Sequence, residues 1–140
     1  VVDGSDFELS EEELMTLSES REDYLENLLI LETRSGGFVR QVDMASRMGF
    51  SKASISKAMS SLSAEGYVEF RPRGLVRLSN GGRKIAERVY DRHCFFFKVL
   101  TNLGIPTEIA QRDACRMEHA MSEESYQALK KELSSKMDVQ

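Results

Sequence analysis

The sequence predicts a mainly α fold with a small β-hairpin: an N-terminal winged helix-turn-helix followed by a helical domain. Three observations predict it. Two short helical patterns meet at Gly49, and two β-prone runs then flank Pro72-Arg73-Gly74. Beyond Gly82 only helical patterns recur, interrupted at Gly104 and again before Ser122. With 140 residues, 41% of them hydrophobic, the chain suits one domain or two small modules sharing a core. The expected organisation is an acidic arm over 1–18, the winged helix-turn-helix over 19–80 and the helical domain over 81–140.

The elements follow in order. Residues 1–20 hold seven acidic and no basic side chains. Ser10-Glu11-Glu12-Glu13 has capping-box spacing and predicts a short helix after a mobile arm. A firm helix over 19–33 carries Leu25, Leu28, Leu29 and Leu31, and Ser35-Gly36-Gly37 stops it. A short helix over 41–48 precedes Gly49, and Ser51 caps a second over 51–64, whose Ile55, Met59 and Leu62 form an inward stripe. Tyr67–Arg71 and Leu75–Leu78 are the hairpin strands. A long helix is expected over 83–102, another from Pro106 to 120, and a last one capped by Ser122 that ends near 135.

Charge is unevenly distributed. Of the 19 Lys+Arg in the chain, eleven fall within 40–92, against only five of the 23 Asp+Glu. A basic segment in a chain of net charge -4 can attract phosphates locally, or can be an ordinary solvated surface. The acidic start lacks a signal-peptide pattern, and the longest apolar runs fall short of a membrane span. The two cysteines, Cys94 and Cys115, fit reduced thiols, so a cytoplasmic location without membrane association is expected.

The second helix of the pair is the candidate reader of DNA. Its exposed positions are small hydroxyls and lysines, which permit close backbone approach and offer many donors. Ser54 and Lys57 are expected at base edges, with Ala53 against a thymine methyl. Ser51, Lys52 and Ser56 are expected at phosphates, joined by Arg71 and Arg73 of the wing and then by Arg77. A Ser/Lys outer face is also what any amphipathic helix can show.

Asp113-Ala114-Cys115-Arg116-Met117-Glu118-His119 carries the second constellation. Cys115, Glu118 and His119 stand at i, i+3 and i+4, one face of a helix, and together present a thiolate, a carboxylate and an imidazole to a transition metal. Taken singly, Cys115 fits a small core residue and His119 a satisfied histidine. Asp23 and Glu26, at i and i+3, could be ligands or a solvated face. His93, the only other histidine, lies on the long helix, and Cys94 beside it points towards the core.

Residues 19–132 resemble the metal-dependent repressors of the diphtheria toxin repressor and manganese transport regulator family. The resemblance rests on Glu22-Asp23-Tyr24-Leu25-Glu26, Ser51-Lys52-Ala53-Ser54-Ile55-Ser56, Arg73–Ser79 leading into Gly82, Arg92-His93 and Ala114–Ser122. It implies a homodimer that binds double-stranded operator DNA through the winged domain and a dimerisation and metal-binding role for the domain over 81–140. It further implies Asp23, Glu26, His93, Cys115, Glu118 and His119 as ligands of a divalent metal. In that family position 115 is cysteine in the iron branch and glutamate in the manganese branch, whereas Asp23 follows the manganese branch. The site is a hybrid, with Fe2+ or Mn2+ expected as effector and Zn2+ or Co2+ able to substitute in vitro.

Phe97 and Gln111 stand where the iron branch places a glutamate and a histidine of an ancillary site, so that form of second site is not expected. With the sequence read as far as Gln140, an SH3-like domain of the longer members is not expected, and the compact manganese-regulator architecture is the expected template. The resemblance implies that metal ties the first helix to the dimerising half and so narrows the spacing of the two recognition helices. The function expected is a metal-dependent transcriptional repressor controlling metal-homeostasis genes, not an enzyme. The alternatives are a metal-independent winged-helix regulator of the multiple-antibiotic-resistance type and a small metalloenzyme. No activated nucleophile with an oriented base accompanies the Cys/Glu/His face.

Overall fold

The structure, a computed structural model, describes residues 11–137, with side chains from Glu19 onward. The first ten residues of the acidic arm, including the Ser10 of the capping box, lie outside the described residues. The chain divides into two compact units, Val1–Arg83 and Lys84–Gln140.

The first unit opens with α1 (Glu11–Ser35), a single helix that begins eight residues before the expected firm start at 19. Glu11-Glu12-Glu13-Leu14-Met15 are strong helix formers, so propagation runs through the stretch expected to be a separate short helix. Leu25 and Leu28 of α1 are buried, as are Met44 and Ala45 of α2 (Gln41–Met48) and Ile55, Met59 and Leu62 of α3 (Lys52–Ala64). Gly49 ends α2 at φ 70°, where its N–H donates to the Ala45 carbonyl at 3.0 Å. A side chain there would be strained, so glycine makes the tight turn between the paired helices.

The wing is β2 (Val68–Arg71) and β3 (Leu75–Leu78) joined by a 3-10 turn over Pro72–Gly74. A short strand not foreseen from the sequence, β1 (Val39–Arg40), completes an antiparallel sheet of order β1-β3-β2. Val39 pairs with Val76 in one ladder and Val68 with Leu78 in the other, and all four are buried. Two residues are too few to display the alternation that reveals a strand.

Helix α4 (Asn80–Asn102) starts three residues earlier than expected because Ser79 caps it. The Ser79 hydroxyl accepts from the Gly82 N–H at 3.1 Å, and the Ser79 carbonyl from the Arg83 N–H at 2.9 Å. A Cβ on Gly82 would lie 2.0 Å from the Tyr67 carbonyl oxygen, so only glycine permits this approach of helix to strand.

The second unit contains the rest of α4 with α5 (Thr107–Met117) and α6 (Glu123–Met137). Phe95, Phe96, Val99, Ala114 and Tyr126 form its buried core, and Phe95 meets Tyr126 edge to face at 5.7 Å. Cys94 is half-buried rather than in that core, and both cysteines are free thiols. Among the described residues no helix is long and apolar enough to cross a membrane.

Candidate metal centre and nucleic-acid interface

Helix α5 ends at Met117 rather than running to 120, a correction to the expected geometry of the cluster. Glu118 is its C-cap, still at helical dihedrals with its N–H on the Ala114 carbonyl at 3.0 Å, so Cys115 and Glu118 do share a face. His119 falls in the turn that follows. The helix stops here because a buried guanidinium takes the carbonyls of the turn. Arg92, 6% exposed, donates from Nη1 to the Glu118 carbonyl at 3.3 Å and to the Met121 carbonyl at 2.5 Å. Its Nη2 meets Glu123 Oε2 at 2.7 Å, and its guanidinium lies 4.9 Å from the Tyr126 ring centroid. Arg92 was missed as a site-forming residue, since nothing in its spacing tells a buried clamp from a surface arginine.

In the second unit α4 and α5 bring three predicted ligands together. One ligand atom each of His93, Cys115 and Glu118 lies within 4.8 Å of the others. His93 Nδ1 is 2.8 Å from Glu118 Oε2 and 3.7 Å from Cys115 Sγ. Glu118 is fully buried, and its other oxygen faces His119 Nε2 at 3.3 Å. Cys115 is exposed, so the group is reachable from solvent. The contacts with Cys115 and then Glu118, working against burial, push His93 up to about 11. Held 2.8 Å from a carboxylate oxygen, Nδ1 carries a proton where its lone pair would otherwise serve a cation.

The donor set fits a divalent transition ion. Nitrogen, sulfur and carboxylate oxygen converge at separations that ordinary metal–ligand bond lengths of about 2.0–2.3 Å can close with small side-chain shifts. His93 Nε2 meets a residue whose role here was also missed, Gln111 Oε1, at 2.6 Å. Asp23 and Glu26 lie one turn apart on α1 of the first unit, half-buried and buried respectively. Beside Asp23, Asn27 Nδ2 donates to the Asp23 carbonyl at 2.7 Å while Asn27 Oδ1 accepts from Arg47 Nε at 2.8 Å, tying α1 to α2.

In the first unit α3 presents a polar outer face. Ser51 caps it, accepting from the Ser54 N–H at 3.1 Å, while its hydroxyl donates to Ser54 Oγ at 2.9 Å. Lys52, Ala53, Ser54, Ser56 and Lys57 are exposed above the buried Ile55 and Met59. Arg73 is exposed at the wing tip at φ 69°, while Arg71 is half-buried. Arg77 Nε is paired with Glu69 Oε2 at 3.2 Å across the hairpin, which weakens its case as a phosphate contact.

Residues 16–76 match the family described as iron dependent repressor, N-terminal DNA binding domain. Residues 79–136 match its metal binding and dimerisation domain. The transcriptional regulator MntR of Escherichia coli O157:H7 is 39% identical over 109 residues, 78% of this chain and 70% of that protein. The chain belongs to the iron-dependent repressor family. Among solved members, T. acidophilum IdeR superposes with a TM-score of 0.71 at 26% identity, covering 81% of this chain and 53% of that one. A manganese-dependent transcriptional repressor in complex with manganese gives a TM-score of 0.70 at 27% identity, covering 84% and 52% respectively. The chain thus spans about half the length of these two repressor structures. Family membership does not favour the multiple-antibiotic-resistance type of regulator.

Proposed function

We propose that this protein is a divalent-metal-dependent transcriptional repressor that binds operator DNA as a homodimer and controls metal-homeostasis genes. The observation that carries the reading is the convergence of His93, Cys115 and Glu118 within 4.8 Å, in a chain whose other unit carries a winged helix-turn-helix. The proposed ligand set is Asp23, Glu26, His93, Cys115, Glu118 and His119, the first two on the strength of the sequence resemblance. The proposed DNA contacts are Ser51, Lys52, Ala53, Ser54, Ser56 and Lys57 of α3 with Arg71 and Arg73 of the wing.

Bound metal supplies the signal: it favours the DNA-binding form of the dimer, and DNA in turn favours the metal-loaded form by the same free energy, about 1–3 kcal/mol. Fe2+ or Mn2+ is the proposed effector. The thiolate of Cys115 draws softer ions, and the carboxylates draw Mn2+. Zn2+ and Co2+ are expected to bind in vitro.

The test begins with duplexes selected from a random pool by the Mn2+-loaded protein. Their affinity is then measured anaerobically, under reducing conditions, with Fe2+, Mn2+ or Zn2+ and with chelator. A fall of about 5–150-fold on chelation is expected. Affinity indifferent to chelator would identify a metal-independent regulator instead.

A further inference from the structure

We propose that Gln111 is a positioning residue for metal capture, whose side-chain carbonyl holds the His93 ring so that Nδ1 is its ligand atom. The inference rests on the reading of His93 as a ligand. An imidazole has two nitrogens in different directions, and a ring free to flip offers either one. Here Nε2 lies 2.6 Å from Gln111 Oε1. An amide oxygen only accepts, so Nε2 keeps its proton and is closed to a cation. The opposite nitrogen, Nδ1, points at Glu118 Oε2 and Cys115 Sγ, 2.8 and 3.7 Å away. With Nε2 so held, Nδ1 is the nitrogen aimed into the space between a carboxylate and a sulfur.

Helix geometry supports the assignment. Gln111 stands four residues before Cys115 on α5, so one helix face supplies both a ligand and the acceptor that aims another. Gln111 is exposed, and its side chain contributes no buried apolar surface on which the fold would depend. Outer hydrogen bonds of this kind commonly govern how well a histidine ligand binds.

The test uses the whole chain with Mn2+ for affinity and diamagnetic Zn2+ for spectroscopy. Long-range 1H–15N spectra of the Zn2+-loaded protein should show the metal on Nδ1 and the proton on Nε2 of His93. Gln111→Met, which removes the acceptor and keeps the length, should weaken Mn2+ binding by about 10–100-fold. It should leave the urea midpoint of the metal-free protein unchanged. Gln111→Glu, which restores an acceptor at the same reach, should recover most of the affinity. Wild-type affinity in Gln111→Met, alongside weakened binding in His93→Ala, would overturn the proposal and leave the ligand reading standing. Equal losses in Gln111→Met and Gln111→Glu, or Zn2+ attached through Nε2, would also overturn it. Wild-type affinity in His93→Ala would remove the ligand reading and this inference with it.

Discussion

Glu32 Oε2 lies 2.6 Å from Arg83 Nη2 while Oε1 accepts from the Leu78 N–H at 2.6 Å, so one carboxylate on α1 ties the end of β3 to the first turn of α4. Glu32 is only 4% exposed, whereas the Arg83 side chain is 42% exposed. Solvent screens the ion pair from the arginine side, so the backbone hydrogen bond carries most of the value. Glu32→Ala leaves a buried N–H without a partner and should cost about 1–3 kcal/mol in urea denaturation. Glu32→Gln keeps an acceptor for Leu78 and should cost less. Equal losses in the two variants would place the value in the charge instead.

Arg92 makes the corresponding joint in the second unit. Arg92→Ala deprives the carbonyls of Glu118 and Met121 of a charged donor and should destabilise the metal-free protein by about 2–4 kcal/mol. Arg92→Lys preserves charge but lacks a planar fork able to serve both carbonyls and Glu123, and should fall between wild type and alanine. Denaturation followed by far-ultraviolet circular dichroism reads both. A lysine variant as stable as wild type would rule out the fork geometry.

Arg73 sets stability against binding. It is the one non-glycine residue with positive φ among the described residues, a conformation that costs a side-chain-bearing residue about 1 kcal/mol. Arg73→Gly should therefore hold or raise the melting temperature. It should also lower operator affinity and reduce the magnitude of the log affinity–log salt slope by about 1. Measuring affinity across several salt concentrations separates a lost phosphate contact from a disturbed fold, since only the former changes the slope at constant melting temperature.

The proton on His93 should make metal capture depend on pH. Its value is raised from 6.5 to about 11, first by Cys115 and then by Glu118. A raised basic group stabilises the fold fully below its unfolded value and loses that contribution as pH climbs through the folded one, so the window is about 6.5 to 11. Metal competes for Nδ1, so binding expels the proton and affinity should increase with pH across that range. Calorimetry in buffers of different ionisation enthalpy counts the protons released. Proton release equal in wild type and His93→Ala would contradict this account.

Cys115→Glu should shift the relative response from Fe2+ towards Mn2+, because a hard oxygen replaces a soft sulfur. Operator affinity measured against each ion in parallel gives the ratio. An unchanged ratio would mean that the thiol does not select the ion.

Much of this architecture is legible in one dimension. The helices of the winged domain announce themselves through Gly49, the Ser51 cap and the spacing of Ile55, Met59 and Leu62. The hairpin follows from β-prone runs around Pro72. Boundaries were less legible. A cap at Ser79 and the clamp by Arg92 moved the start of α4 and the end of α5, and both depend on partners chosen by the fold.

By itself the sequence determined which residues could carry chemistry here: a scarce histidine, a cysteine and a carboxylate at helical spacing, and a Ser/Lys face on a short capped helix. Local spacing is a property of the chain, and helical periodicity reads directly from it. Only the tertiary structure decided that His93 meets Cys115 and Glu118 from 22 and 25 residues away. It also decided that Gln111 closes the ring's other nitrogen and that Glu118 is buried while Cys115 faces solvent. Those outcomes depend on how α4 and α5 pack around Phe95, Phe96 and Tyr126, and packing joins side chains whose separation along the chain carries no signal.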